Sequence, residues 1–191
     1  MSQNTHIAIF ASGGGSNAES IIRHFNAVDD IDVSLIVTNK ADAFVVERAK
    51  THAIPYYVHT KEDVDNGQLL KMLSEKNVDF IVLAGYLKKV GDDLIQAYPN
   101  KIVNIHPALL PKFGGKGMYG MNVHKAVVAA GETISGMTIH FVNEHYDEGQ
   151  IIEQHQCELD EVDSAEDVAA KVLKLEHAYY PKAIEKIIRQ A

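Results

Sequence analysis

The sequence predicts a mainly parallel, twisted α/β sheet with helices on both faces and an antiparallel pair of strands at its end. Three observations carry this. Between residues 6 and 105, short apolar runs alternate with segments of helical spacing, the signature of strands joined by crossover helices. The first run stops at Ser12-Gly13-Gly14-Gly15, immediately ahead of a helical segment, which reads as strand, tight loop, helix. After a Pro- and Gly-rich stretch at residues 107–120, two β-rich runs are joined by a connection too short for a crossover.

Taken in order, residues 6–11 form the first strand, and Ala18, Ile21, Ile22 and Phe25 recur at helical spacing behind the glycines. Residues 33–38 are the second strand, followed by a helix over 41–53 carrying Phe44, Val45, Ala49 and His52. Residues 54–58 make a short strand, 68–76 a helix carrying Leu69, Leu70, Met72 and Leu73, and 78–84 a buried strand. A helix over 92–98 and a strand over 102–105 complete the alternation. Residues 107–120, with two prolines and four glycines, read as a long loop of functional type. A helix over 123–130, strands over 134–142 and 150–159, and a final helix follow. That helix opens on Ser164-Ala165-Glu166-Asp167, resembling a capping box, and runs through Val168, Val172, Leu175 and Tyr179, with Pro181 expected to kink or split it. Without internal repeats or a low-complexity linker, residues 1–191 read as one domain. Its N-terminal half, to about residue 100, suits anion binding, and its C-terminal half carries the chemistry.

Composition narrows the function. Of 191 residues, 46% are hydrophobic, and 18 Lys+Arg stand against 26 Asp+Glu, a net charge of −8. An acidic chain lacks the basic stripe of a general nucleic-acid binder, so small-molecule substrates are favoured. The longest apolar runs, such as Phe80 to Ala84, fall far short of the ~20 residues of a membrane span. A lone cysteine, Cys157, and the lack of a basic start followed by an apolar leader point to the cytoplasm. Charge is also uneven: residues 101–130 hold four lysines and no acid, whereas residues 141–170 hold ten acids and no Lys or Arg. With Lys88 and Lys89, the basic stretch suits steering of an anion, though solvated loop lysines give the same composition.

Backbone N–H groups of the glycine loop and the following helix start are free to take a phosphate, with Ser16 and Asn17 as side-chain donors. Residues 13–18 also fit G-x-G-x-x-A, a dinucleotide pattern. Yet the ribose-binding acid wanted near the end of the second strand is replaced by Thr38-Asn39-Lys40. Lys40 keeps an NADP site open, and a purely structural turn is a third reading. The densest chemistry lies in Asn104-Ile105-His106-Pro107-Ala108-Leu109-Leu110-Pro111, where a buried strand emerges at the sheet edge that binds ligands. Asn104 and His106 are two apart and share a side of the strand. They can meet one reacting atom or simply satisfy strand-end backbone groups. A carboxylate beside His106 favours its cationic form, and Asp147 is the candidate, with Glu144 and Glu148 as rivals in the same turn.

On these residues the chain resembles the glycinamide ribonucleotide formyltransferases of the folate-dependent formyltransferase superfamily. The resemblance runs through Ser12 to Asn17, Asn39-Lys40-Ala41-Asp42-Ala43, Val82-Leu83-Ala84-Gly85-Tyr86-Leu87, the Asn104 to Pro111 motif, Asp147-Glu148-Gly149 and Glu176-His177-Ala178-Tyr179-Tyr180-Pro181. It implies a Rossmann-like fold and formyl transfer from 10-formyltetrahydrofolate, as co-substrate, to the amine of phosphoribosylglycinamide in purine biosynthesis. It implies a catalytic trio of Asn104, His106 and Asp147, a phosphate cradle of Gly15, Ser16 and Asn17, and Glu176 as a contact to the ribonucleotide. Folate contacts are implied at Leu87, Lys88, Lys89, Val90, Asn104, Asn143, Glu144, His145, Tyr146 and Asp147, and at Lys61, which stands where the family places an arginine. No metal, nucleic acid or membrane partner is implied, and the protein is expected as a monomer or homodimer. Ten histidines offer no H-E-x-x-H or paired-cysteine spacing for zinc. Two departures stand out: residues 112–123 are longer than the family's loop, and Leu173 replaces a polar phosphate contact found in some members.

Overall fold

The computed structural model describes residues 4–190. Seven strands, β1 (Thr5–Phe10), β2 (Ile31–Thr38), β3 (Tyr56–Val58), β4 (Phe80–Leu83), β5 (Ile102–His106), β6 (Ile134–Phe141) and β7 (Ile151–Glu158), form one sheet. Its order is β3-β2-β1-β4-β5-β6-β7. Strands β1 to β5 pair in parallel and β6–β7 antiparallel, as predicted, and β5–β6 also pairs antiparallel. The helices are α1 (Ser16–Phe25), α2 (Val45–Thr51), α3 (Lys61–Asp65), α4 (Gln68–Glu75), α5 (Asp92–Ala97), α6 (Met121–Ala129) and α7 (Ala165–Gln190). Strand alternation divides the core: Ile7 and Ile9 of β1 pack with α1, α6 and α7, while Ala8 and Phe10 pack with α4 and α5. Among the described residues no helix is long and apolar enough to cross a membrane.

Several predicted bounds shift for local reasons. The third strand begins at Tyr56 rather than 54; the carbonyl of Pro55 still accepts from the Ile36 amide at 2.9 Å, but proline has no N–H with which to extend the ladder. Helix α2 is shorter than 41–53 because it starts where the Val45 amide donates to the Gly13 carbonyl at 3.1 Å. Phe44, predicted within the helix, precedes it, is 58% exposed and lies under the Arg48 guanidinium. Helix α3 was not anticipated, although Thr60 and Asp63 form a reciprocal capping box.

The last helix corrects one expectation and narrows another. Its buried stripe is Val168, Val172, Glu176, Tyr180, Ala183, Ile184 and Ile187, whereas Tyr179 is outside and stacks on His155 with ring centroids 3.7 Å apart. The acid at position 176 interrupts the apolar pattern and disguises the true face. Pro181 does not split α7. Proline removes the N–H that would reach the carbonyl four residues back, at His177, and the Ser20 hydroxyl of α1 donates to that carbonyl at 3.0 Å. The neighbouring helix thereby satisfies the group that proline orphans. One turn away, the Tyr180 hydroxyl donates to the carbonyls of Leu83 and Val103 at 2.9 and 3.3 Å, tying α7 to the ends of β4 and β5.

Candidate active site

Chain segments leaving the carboxyl ends of β1, β4 and β5 converge on one cavity of about 660 Å³, a size that suits small-molecule substrates. Because β2 and β4 flank β1 on opposite sides, the loops after β1 and β4 lie at a topological switch point, the usual binding crevice of such sheets.

At one part of the cavity stands the start of α1. Gly15, at φ 67°, occupies the left-handed region, and a Cβ there would lie 2.6 Å from Cγ2 of Val45, so packing against α2 requires glycine. Gly13 and Gly14 leave open space instead. The Gly14 carbonyl accepts from Arg48 Nε at 2.7 Å, and the same guanidinium pairs with Glu19 at 3.1 Å, fixing the loop from behind. Asn17 lines the cavity, and its Nδ2 donates to Glu176 Oε2 at 2.6 Å while its Oδ1 is buried without a partner among the described residues. Glu176 is only 7% exposed; burial pushes its carboxyl above the usual range, opposed in part by the Asn17 bond. Two residues that sequence separates by most of the chain thus form one polar pair.

Deeper in, Asn104, His106 and Asp147 all line the same cavity. Asp147, at φ 57°, turns its carboxylate inward, with Oδ2 3.5 Å from His106 Nδ1 and accepting from the Gly115 amide at 2.9 Å. His106 Nε2 faces the Phe113 carbonyl at 2.8 Å, so both ring nitrogens address acceptors. A fourth residue, His140, closes the cluster. Its Nδ1 donates to the Phe141 carbonyl at 2.8 Å, leaving Nε2 to accept from Asn104 Nδ2 at 3.0 Å. Burial pushes His140 below the usual imidazole range, outweighing the Phe141 carbonyl and Asp147; the neutral ring is the form that can accept. Asp147 Oδ1 lies 3.7 Å from the same Nε2. Asn104, His140, Asp147 and His106 therefore cluster, with Asn104 hydrogen-bonded to His140 and the Asp147 carboxylate 3.5 Å from His106 Nδ1 and 3.7 Å from His140 Nε2.

The remaining wall comes from Gly85 to Val90, from Val142, Asn143, His145 and Tyr146, and from the loop 115–120 with His124 behind it. The Tyr86 hydroxyl donates to His59 Nε2 at 2.8 Å, the ring being oriented by its Nδ1 bond to the Thr60 carbonyl at 3.1 Å. Burial holds the Tyr86 phenol well above its ordinary range, so it stays neutral. His124 is 6% exposed, its Nδ1 has no partner among the described residues, and burial and nearby His106 lower it. No group of three His, Cys, Asp or Glu side chains suited to a metal occurs among the described residues.

The family model described as formyl transferase matches residues 5–184. The chain belongs to the formyl transferase family. Curated relatives named phosphoribosylglycinamide formyltransferase include a chloroplastic protein of Arabidopsis thaliana, 44% identical over 96% of this chain and 65% of its own length. Another, from Bacillus subtilis (strain 168), is 38% identical over 95% of this chain and 93% of its length. The chain spans less than two thirds of the first plant relatives, at 65% and 61%. Among solved structures, a phosphoribosylglycinamide formyltransferase from Bacillus halodurans superposes with a TM-score of 0.87 at 38% identity, covering 96% of this chain and 95% of that one. A second, from Anaplasma phagocytophilum, gives a TM-score of 0.89 at 31% identity over 98% and 89% of the two chains.

In this chain the predicted residues do not all reach the cavity. Asn17, Leu87, Lys88, Lys89, Val90, Asn104, His106, Asn143, His145, Tyr146, Asp147 and Glu176 line it. Gly15 and Ser16 precede Asn17 at the helix start, outside the lining. Lys61 is displaced: on the short helix α3 its side chain is 86% exposed and pairs with Asp65. Glu144 is exposed and outside the lining, because the Asn143 side chain accepts from the His145 amide and turns the backbone there. Sequence reasoning missed His140, Tyr86 and His124. Alternation along β6 puts Thr138 and His140 on one side, but only the register Asn104↔His140 shows what that side meets.

Proposed function

We propose that this chain transfers the formyl group of 10-formyltetrahydrofolate to the amine of 5-phosphoribosylglycinamide. The observation that carries the reading is the cluster of Asn104, His140, Asp147 and His106 in a cavity that also contains the Asn17–Glu176 pair. It supplies hydrogen-bond donors and a fixed carboxylate for an acyl-transfer centre beside a site suited to a polar, phosphorylated acceptor. The family match and the names of the relatives support the same reaction. An NADP-dependent oxidoreductase finds no such support.

In the proposed reaction the substrate amine attacks the formyl carbon, negative charge gathers on the formyl oxygen, and the carbon–N10 bond breaks as N10 takes up a proton. The amide of Asn104, oriented by His140, and the His106 ring donate to the developing oxyanion; removing one such donor costs about 10²–10³ in rate. His106 Nε2 meets the Phe113 carbonyl in this conformation, so donation to substrate exchanges one acceptor for another. Asp147 holds the ring from Nδ1 and orders the water that carries the amine proton toward N10. The glycine loop and Asn17 receive the phosphate, Glu176 the glycinamide end, and the walls at Leu87 to Val90 and Asn143 to Asp147 the folate. The surroundings fit these ligands: the orphaned Asn17 Oδ1 wants a donor, which a ribose hydroxyl or the glycinamide amine supplies, its Nδ2 keeps a second hydrogen for the phosphate, and exposed Lys88 and Lys89 suit folate carboxylates.

The test is incubation with the ribonucleotide and formyl-folate, following appearance of the deformylated pteridine. Single replacements Asn104→Ala, His106→Ala and Asp147→Ala should each lower kcat by at least about a hundredfold. Near-normal kcat in all three refutes the assignment.

A further inference from the structure

We infer that Ser12 is a positioning residue that clamps the folate-side wall to the glycine loop. The inference rests on the proposed formyl transfer and extends it to a residue outside the cavity lining. Ser12 follows β1 and is 2% exposed. Its amide donates to the Gly85 carbonyl at 3.0 Å. Its Oγ accepts from the Leu87 amide at 2.9 Å and donates its single hydrogen to Asn39 Oδ1 at 2.6 Å. Three loops, after β2, β1 and β4, are therefore joined through one hydroxyl at the switch point of the sheet.

The geometry matters because residues 85–90 have neither helix nor strand to hold them, yet they form a wall of the cavity. Without ladder bonds, that wall is held in place by what its backbone donates to. Leu87 N–H has the serine oxygen, and the serine is itself held in one rotamer because its proton is committed to Asn39. The same serine immediately precedes the three glycines at the opposite side of the crevice. Ser12→Ala releases the Leu87 amide and leaves the wall free to drift, so that folate must order it on binding.

In the experiment, Ser12→Ala should raise KM for formyl-folate about tenfold, the cost of one buried neutral hydrogen-bond relay, while kcat stays within about twofold. Asn39→Asp, which keeps an acceptor for the hydroxyl, should retain the low KM; Asn39→Ala should raise it. Hydrogen exchange on the substrate-free proteins gives a second readout. The Leu87 amide should lose protection in Ser12→Ala and Asn39→Ala while amides within β1 keep theirs. An unchanged KM in Ser12→Ala, or unchanged Leu87 protection, overturns the inference. Should Ser12→Ala fail to fold, the Asn39 pair carries the same decision. If wild-type protein does not transfer formyl groups, the functional reading fails, and Leu87 exchange still decides whether the clamp exists.

Discussion

At the scale of single residues, burial sets the chemistry. Glu176 is pushed up by desolvation, so the fold favours its neutral form. Its contribution to stability is complete below the ordinary carboxyl value of 4.5 and is lost as pH rises through the higher folded value. Glu176→Gln keeps an oxygen for Asn17 but cannot ionise. Denaturation curves should show it more stable than wild type at pH 8 and similar at pH 4, with KM for the ribonucleotide raised because the carboxyl group that meets it is replaced. Glu19 behaves oppositely. Although burial raises it, hydrogen bonds from Arg23, His52 and Arg48 prevail and hold it at about 2. That stabilisation is present above 4.5 and is lost as pH falls through about 2. Glu19→Gln should therefore lower the melting temperature at neutral pH and flatten the acid arm of the stability profile.

At the scale of elements, α7 shows how a neighbour rescues a helix that its own sequence would break. The Ser20 hydroxyl supplies the donor that Pro181 withholds from the His177 carbonyl. Ser20→Ala should cost about 1 kcal/mol in wild type and less in a Pro181→Ala background, where an amide N–H returns. Equal costs in both backgrounds, measured by urea denaturation, refute this account. The helix was legible from its Ser164 start, where Ser164 and Asp167 do form the reciprocal cap. Its inner face was not, because Glu176 belongs to the buried stripe for a reason that lies on α1. Likewise α2 and β3 were shortened by the Gly13 carbonyl and by Pro55, partners that periodicity does not contain.

At the scale of the whole molecule, the sheet binds three distant parts of the chain into one crevice, and Tyr180 links the terminal helix to two of its strands. Tyr180→Phe keeps the ring and removes both bonds, so it should cost about 1–2 kcal/mol of global stability, with the first loss of exchange protection at the ends of β4 and β5. Local sequence alone determined the alternation of strands and helices, the antiparallel finish, the glycine turn and the Asn104–His106 pair, since each depends on neighbours within a few residues. Spacing of two suggested a shared side for those side chains, and both line the one cavity. Tertiary structure alone decided which acid faces His106, that His140 orients Asn104, that Asn17 meets Glu176 and that Lys61 points elsewhere. Those outcomes depend on strand register, on the positive φ of Asp147 and on helix packing. Such contacts join residues remote along the chain, and a linear pattern carries no record of the distance between them.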